Sequence, residues 1–256
     1  FVGAILARRR GRTGLATVLL TIGALVKIYG VIGIMLHLVL VYRERGARAG
    51  LKHTAGAVGI TAAAYANYWH GLKTFSGLLK AFPLTNQSLV GTVQRLLRPV
   101  LHAVGFHAAS HGAELLIRFV AGAVLVAVVA RALARVRDER TLWHYTLAVL
   151  VAYLYLTPWF LYWYMLAPLT MIAILPTNRF TYPILAFSGT TLFSIGPTGA
   201  NLRNWIPQTV VRYLPPALVY ARWPTGAREV RRAGGAPITI PVPSTAAMVQ
   251  HAPAAK

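Results

Sequence analysis

The sequence predicts an all-α protein, a polytopic transmembrane helical protein that contains broken or re-entrant helices. Hydrophobic residues make up 56% of the chain and charged residues only 12%, whereas an ordinary soluble domain carries about 25% charged residues. Long apolar stretches alternate with short basic runs, which is the pattern of membrane helices and their cytoplasmic loops. The excess of apolar surface therefore has to face lipid.

The charge balance excludes several functions. The net charge is +21, from 26 Lys and Arg against 5 Asp and Glu. A nucleic-acid binder would carry its basic residues on amphipathic elements, but here they lie between apolar stretches, so no nucleic-acid partner is predicted. The chain has no cysteine, which excludes disulfides, thiol catalysis and cysteine metal sites. Convergent carboxylates for a metal are missing too, and we expect no metal and no cofactor.

The first apolar run indicates a larger helical domain. Phe1–Leu6 precedes a basic run directly, and six residues are far fewer than the roughly 20 that a membrane span needs. We expect the missing part of this helix to lie upstream, so that residues 1–223 form the C-terminal part of a transmembrane domain. Residues 224–256 are rich in Pro, Ala and Gly, and we expect a largely disordered cytoplasmic tail there.

Five basic runs set the predicted topology. They are Arg8–Arg12, Arg43–Lys52, Arg131–Arg140, Arg179 and Arg222–Arg232. Positive residues are retained on the cytoplasmic side of a membrane, so we place all five runs inside. An even number of membrane passes must then separate consecutive runs.

Gly14–Tyr42 lies between the first two runs and is long for one span and short for two. Because the basic runs on both sides of this segment are placed in the cytoplasm, the segment must enter and leave the membrane on the same side. This favours a re-entrant pair of half-length helices, with a break at Lys27–Gly30. Broken helices are tolerated at membrane depth where they line a cavity. One long tilted helix, with Lys27 snorkelling to the interface, is the alternative. A lysine inside an apolar segment is a functional candidate by default.

The remaining chain divides into alternating spans. The predicted spans are Leu51–Trp69 outward, Leu115–Ala134 inward, His144–Thr157 outward, Tyr164–Leu175 inward, Tyr182–Ile195 outward and Val210–Tyr220 inward. Residues 70–112 form an external segment, and Pro158–Trp163 forms an outer turn. Aromatic residues at such a turn are typical of an interfacial belt, or they could form a stacking wall for a sugar ring.

The external segment contains positive charges that depart from the inside rule. They are Lys73, Lys80, Arg95 and Arg98. An anionic ligand at the outer leaflet would explain them, as would solvated charge on an interfacial helix. Within this segment, Asn86, Gln87 and Ser88 precede a predicted helix over Leu89–Leu97. These side chains suit a hydroxyl-rich ligand or, as the spacing alone favours, a helix N-cap.

Acidic residues are too few to assign a catalytic base. Of the five, only Glu114 is predicted near the outer face, where Arg118 could pair with it one turn later. A two-carboxylate hydrolase site cannot be built from this set.

Three stretches together resemble the C-terminal half of the polyprenyl-phosphate-dependent glycosyltransferases of the GT-C superfamily, closest to glycosyltransferase family 87. They are Ala24–Gly30, similar to the family's Leu-Lys-Pro-Tyr helix break; Asn86–Gly91 with Arg95–Leu97, similar to its Asn-Gln-Ser-Leu-x-Gly segment; and Thr157–Trp163, similar to the Pro-Trp-Tyr-Leu-x-Trp turn of related mannosyltransferases. The resemblance covers roughly Arg8 to Pro176 and implies a GT-C-like fold.

The resemblance implies an inverting hexosyltransferase in a bacterial plasma membrane. It would move a sugar, often mannose or arabinose, from a polyprenyl phosphate donor to a glycan or glycolipid acceptor on the extracytoplasmic face. In the family the catalytic Asp sits in the first external loop. That loop is absent from this sequence, so the catalytic residue is unknown and is expected upstream of Phe1.

The resemblance also assigns expected roles to residues of this chain. The donor phosphate would be bound by Lys27, Arg95 and Arg98, and the sugar site would be shaped by Tyr29, Asn86, Gln87, Ser88, Trp159 and Tyr162. Membrane lipids are the remaining expected partner. The alternative function is a non-enzymatic transporter or flippase for lipid-linked sugars.

Overall fold

A computed structural model describes residues 1–71, 73–76, 88–105, 109–158, 160–193 and 202–222. Within these ranges the chain forms α-helices, short 3-10 turns and no β-strand, which confirms the all-α prediction. The described helices are α1 Val2–Arg9, α2 Thr13–Val26, α3 Gly30–Tyr65, α4 Leu89–Ala103, α5 Ala109–Arg135, α6 Glu139–Leu156, α7 Leu166–Ile172, α8 Thr181–Phe193 and α9 Leu202–Arg222. The 3-10 helices are Ala66–Tyr68, Lys73–Phe75 and Tyr162–Met165.

The predicted break after α2 is present. Helix α2 ends at Val26, Lys27 is extended, and α3 begins at Gly30. A Cβ atom at Gly30 would lie 2.7 Å from backbone atoms of Gly23 and Ala24, so only glycine fits where the chain reverses. The two helices then pack against each other as a hairpin. At 14 residues, α2 is about 21 Å long, which is shorter than the ~30 Å hydrocarbon core.

Helix α3 folds back on itself at Gly46, which has a φ of 80° in the left-handed region. Thr17 Oγ1 on α2 lies 3.0 Å from His37 Nε2 and 2.7 Å from His53 Nδ1. In a straight helix these histidines would be about 24 Å apart, yet their ring centroids are 6.5 Å apart. The predicted loop around residues 43–52 is therefore a helix interrupted at one glycine, and the predicted span Leu51–Trp69 is largely its second arm.

The basic runs meet at one end of the bundle, which we name the arginine end. Arg8 forms ion pairs with Glu44 and, at 4.0 Å, with Glu139. Two further arginines reach across to other turns: Arg9 Nη2 donates to the Ile174 carbonyl oxygen at 3.4 Å, and Arg43 Nη1 donates to the Ala134 carbonyl oxygen at 3.2 Å. The Arg179 guanidinium lies 5.5 Å from the Tyr220 ring near the end of α9. Residues of four of the runs thus meet at this end, and the fifth run begins at Arg222, the last residue of α9.

In the core, helix α1 and the α2–α3 hairpin on one side pack against α6 on the other. Fully buried side chains from both include Ile5, Leu36, Leu40, Leu142 and Leu147. On the other side of α6, helices α8 and α9 pair. Pro216 in α9 has no N–H to give to the Arg212 carbonyl oxygen. The Thr190 hydroxyl of α8 donates to that oxygen instead, at 3.1 Å, so the proline strengthens the pairing of the two helices.

One helix of the described part is long and apolar enough to cross a membrane. It covers Gly112–Arg135 of α5, and it is almost entirely unburied. Large apolar side chains point outward from it, including Leu116, Phe119 and Val126, each more than half exposed. Such a surface is unusual on a soluble monomer and is what lipid contact requires. The structure therefore provides one clear span and, in α2, a shorter apolar helix.

Candidate functional site

Residues 157, 158 and 160–165 belong to the outer turn between α6 and α7, at the far end of the bundle from the arginine end. Helix α6 starts beside Arg8 at Glu139 and ends at Leu156, so its 18 residues separate the two ends by about 27 Å. Phe160 and Met165 of the turn are buried, and Trp163 is exposed. Trp159, a predicted sugar-site residue, lies outside the described residues.

The break between α2 and α3 brings Lys27 and Tyr29 against this turn. The Lys27 side chain is exposed, and its Nζ lies 5.7 Å from the centroid of the Trp163 ring, a cation–π distance. The Tyr29 ring lies 5.8 Å from Tyr164 and 6.2 Å from Tyr153. Because Lys27 is extended and ends the helix, its ammonium group is held at an aromatic surface with solvent access.

Ser88 joins the N-terminus of α4 to the same turn. Its hydroxyl donates to the Pro158 carbonyl oxygen at 2.7 Å and accepts from the Gly91 N–H at 2.9 Å. Ser88 is therefore the N-cap of α4, and its side chain is fully buried. A second link joins Thr92 to Thr209 of α9, with their hydroxyl oxygens 2.7 Å apart. The N-terminus of α4, with its positive dipole end, is thereby fixed beside the turn.

Arg212 of α9 is a residue of this site that the sequence reasoning did not single out. Its side chain is fully buried, and its guanidinium lies 5.1 Å from the Phe160 ring and 5.3 Å from the Tyr162 ring. Tyr162, a predicted sugar-site residue, is thus packed against a buried cation. The signal was available, because an arginine within a predicted span, here Val210–Tyr220, is costly and marks a functional position.

The other predicted cations lie farther along α4. Arg95 and Arg98 are seven and ten residues beyond Ser88, which places them about 10 and 15 Å along the helix. Arg95 is half-buried and Arg98 is exposed. Burial lowers the pKa of Arg95, although a guanidinium keeps its charge in proteins. The structure joins Lys27, Tyr29, Ser88 and Tyr162 through the outer turn, while Asn86 and Gln87 lie outside the described residues.

An apolar cavity of about 770 Å³ lies beside the break. Ala24 and Val31, on either side of the break, line it, and so do Val58, Tyr65 and Trp69 from the second arm of α3 and beyond. Among the described residues that line it, the polar side chains besides the aromatic ones are those of Thr21 and Thr61. The cavity therefore suits a hydrocarbon chain whose polar end would come close to Lys27.

This arrangement can bind an anion and hold a ring, but no described group is an evident base. The carboxylates of Glu44 and Glu139 are paired with Arg8 at the arginine end, far from this turn. Glu114, the acidic residue predicted near the outer face, accepts a hydrogen bond from Gln94 Nε2 at its backbone oxygen, 3.0 Å away. The catalytic residue therefore stays unassigned.

Comparison with protein-family models matches residues 1–158 to glycosyltransferase family 87. The match covers more than half of the chain, including Lys27, Ser88 and the start of the outer turn. No curated protein and no solved structure matches the sequence.

Proposed function

Because this chain belongs to glycosyltransferase family 87, a family of membrane glycosyltransferases, we propose that it uses a polyprenyl phosphate sugar as donor. The sugar is mannose or a similar hexose, and the acceptor is a glycan or glycolipid. Transfer takes place on the extracytoplasmic face of a bacterial plasma membrane, which the chain crosses several times.

One observation carries this proposal: the basic runs and the predicted site residues lie at opposite ends of the bundle. The runs meet around Arg8 and Glu44, and Lys27, Ser88 and Tyr162 meet at the outer turn. Since positive residues are retained in the cytoplasm, the site faces the opposite side, where lipid-linked donors would be used.

The donor phosphate is assigned to Lys27, supported by Arg95 and Arg98 from α4. Sugar transfer leaves negative charge on the phosphate, and a fixed cation stabilises that charge in the transition state. Lys27 suits this role because its neighbour is an aromatic ring and not a carboxylate. The prenyl chain would occupy the apolar cavity that Ala24 and Val31 line on the two sides of the break.

The sugar ring is assigned to the aromatic side of the turn. Tyr29 and Tyr162 are half-exposed there, and Trp159, Asn86 and Gln87 are adjacent in sequence to residues of the same region. Ser88 shapes the site indirectly, since its hydroxyl is already used by Pro158 and Gly91. Arg212 acts in the same indirect way, by holding Phe160 and Tyr162.

The test is a transfer assay with membranes that contain the complete gene product. A radiolabelled polyprenyl phosphate mannose is offered to right-side-out and to inverted vesicles, together with the endogenous glycolipid pool. We expect label in the acceptor fraction, and we expect a membrane-impermeant acceptor analogue to be labelled only in right-side-out vesicles.

Two results would contradict the proposal in different ways. Labelling of the impermeant acceptor only in inverted vesicles would reverse the sidedness and leave the donor assignment standing. No transfer from several polyprenyl phosphate sugars, together with movement of intact donor across the membrane, would favour the flippase alternative.

A further inference from the structure

A second cavity, of about 450 Å³, opens at the arginine end, and the sugar-transfer site makes no use of it. It lies between α5 and α6 on one side and α8 and α9 on the other. Along α6 its lining extends from Tyr145 to Tyr155, which is ten residues or about 15 Å. The lining ends at Tyr155 and at Met165 of the outer turn, so the cavity is long enough for an extended acyl chain whose head lies at the arginine end.

The cavity combines an apolar interior with two cations. Its lining is aliphatic or aromatic apart from Arg131 and Arg179. Both arginine side chains are exposed, and the Arg179 guanidinium lies 5.0 Å from the Phe180 ring and 5.5 Å from the Tyr220 ring. The aromatic faces fix its position without neutralising its charge. The pattern is that of a site for an amphiphile with an anionic head.

The carboxylates at this end are occupied elsewhere. Glu44 and Glu139 pair with Arg8, and the Asp138 carboxylate accepts the Thr141 N–H at 2.7 Å. Neither Arg131 nor Arg179 forms an ion pair with another described residue. Within the described part of the chain, these two charges are therefore left for a ligand.

Access to the cavity is from the lipid side. Val128 and Arg131 line it from α5, the helix whose apolar surface is almost wholly unburied. A lipid could thus enter sideways, with its head at the level of the arginines and one chain along α6. Basic pockets between membrane helices on the cytoplasmic side are typical sites for anionic headgroups.

We propose that this cavity binds an anionic phospholipid of the leaflet at the arginine end. Its phosphate contacts Arg131 and Arg179, and one acyl chain lies between α6 and α8 and reaches Phe187. This lipid is distinct from the sugar donor, because the arginines that bind its phosphate are at the opposite end of the bundle from Lys27. The occupant would bridge the α5–α6 pair and the α8–α9 pair and so stabilise the bundle.

The test is native mass spectrometry of the purified full chain, titrated with dioleoylphosphatidylglycerol or dioleoylphosphatidylcholine. We expect tighter retention of phosphatidylglycerol. Arg131→Gln and Arg179→Gln should each weaken it roughly fivefold, and the double variant roughly 25-fold, as expected for one phosphate contact per arginine. Ala152→Phe should block the cavity and reduce retention of both lipids.

Arg48→Gln is the matched control, since Arg48 is an exposed cation of the arginine end that does not line the cavity. Circular dichroism verifies that each variant is folded. If Ala152→Phe is unfolded, the arginine variants alone test the proposal. Equal retention of the two lipids would overturn the proposal. An equal loss of phosphatidylglycerol in Arg48→Gln would also overturn it, because it would indicate general charge attraction. Displacement of phosphatidylglycerol by polyprenyl phosphate would overturn it too, because it would indicate that the cavity binds the donor.

Discussion

The arginine end and the outer turn both depend on cations, but they give those cations different partners. At the arginine end, Arg43 donates to the carbonyl oxygens of Ala134 and Val136 at the C-terminal end of α5, and Arg8 pairs with Glu44. Carbonyls at a helix C-terminus lack partners within the helix and attract positive charge. At the outer turn, Lys27 and Arg212 lie over aromatic rings. At the exposed Lys27, the aromatic face positions the ammonium group and leaves its charge available.

This contrast separates stability from activity. A cation that closes a helix end or completes an ion pair is part of the folded structure, and its removal should lower the free energy of unfolding. An exposed cation that rests on an aromatic ring, as Lys27 does, can be removed with little change in folding, but an anionic ligand loses its partner. Substitutions at the two ends should therefore be distinguishable by measuring both quantities.

The largest expected effect is at Lys27. Lys27→Gln should lower sugar transfer by about 100-fold or more, the usual result of deleting one group that stabilises transition-state charge. Lys27→Arg should restore part of the activity, because the charge returns with a different shape. The measurement is the initial rate of transfer at equal amounts of folded protein.

Lys52→Gln is the control for that experiment, since Lys52 is an exposed lysine on the second arm of α3. Its activity should match that of the unaltered protein. If Lys27→Gln were as active as Lys52→Gln, the donor phosphate could not be bound by Lys27, and the two ends would not differ in the proposed way.

The next effect is at Arg8, and it should appear in stability. The Arg8 side chain is 6% exposed and that of Glu44 is 32% exposed. Removing one partner of a fully buried pair costs about 3–5 kcal/mol, and because water reaches Glu44 we expect about 2 kcal/mol for Arg8→Met. Thermal unfolding in detergent measures this loss, and transfer activity below the transition should persist.

Arg10→Met changes an exposed arginine in the same run and should alter stability by less than about 0.5 kcal/mol. The double variant Arg8→Met, Glu44→Gln should recover part of the loss, since the carboxylate of Glu44, the nearer of the two acidic partners of Arg8, is no longer left unpaired. Equal stability of Arg8→Met and Arg10→Met would mean that the ion pair contributes nothing.

The sequence was sufficient to predict features that rest on charge and local chain breaks. The basic runs predicted a shared end, and Lys27–Gly30 predicted the helix break, because both follow from short-range composition. The bend at Gly46 was not predicted. A single glycine with a positive φ lets a helix reverse inside a basic run, and the same run is equally compatible with a loop.

The site itself was only partly predictable. Lys27 was identified from the cost of a charge in an apolar segment, and the same argument applies to Arg212, which was overlooked inside a proline-containing helix. Its burial against Phe160 depends on the packing of α9 on the outer turn, a long-range contact that no local pattern encodes. Ser88 shows the same limit. Its N-cap hydrogen bond from the Gly91 N–H is local in sequence, whereas its hydrogen bond to the Pro158 carbonyl oxygen joins distant parts of the chain.

A third prediction concerns the turn that presents Lys27. Gly30→Ala places a Cβ 2.7 Å from the backbone of Gly23 and Ala24, so the hairpin must open, at a cost of about 1–3 kcal/mol. Activity should fall along with stability, since Lys27 moves away from Trp163.

Gly59→Ala is the control, because a Cβ there meets nothing within 4 Å. This substitution should stabilise α3 by about 0.5–1 kcal/mol. Comparable unfolding temperatures for the two variants would contradict the tight reversal.

The smallest expected effect is at Asp138, the N-cap of α6 at the arginine end. Its carboxylate accepts the Thr141 N–H, and this bond lowers the pKa of Asp138 below its usual value. A carboxyl group with a lowered folded-state pKa stabilises the fold above its unfolded pKa of about 3.9, and that contribution is lost as the pH falls through the folded-state pKa. Asp138→Ala should therefore lower the free energy of unfolding by about 1 kcal/mol at pH 7 and by progressively less in acid.

Asp138→Asn keeps a capping oxygen and should remove the pH dependence while retaining most of the stability. Unfolding temperatures of the three proteins between pH 3 and pH 7 measure the difference, and parallel curves for the unaltered protein and Asp138→Asn would exclude an ionised cap.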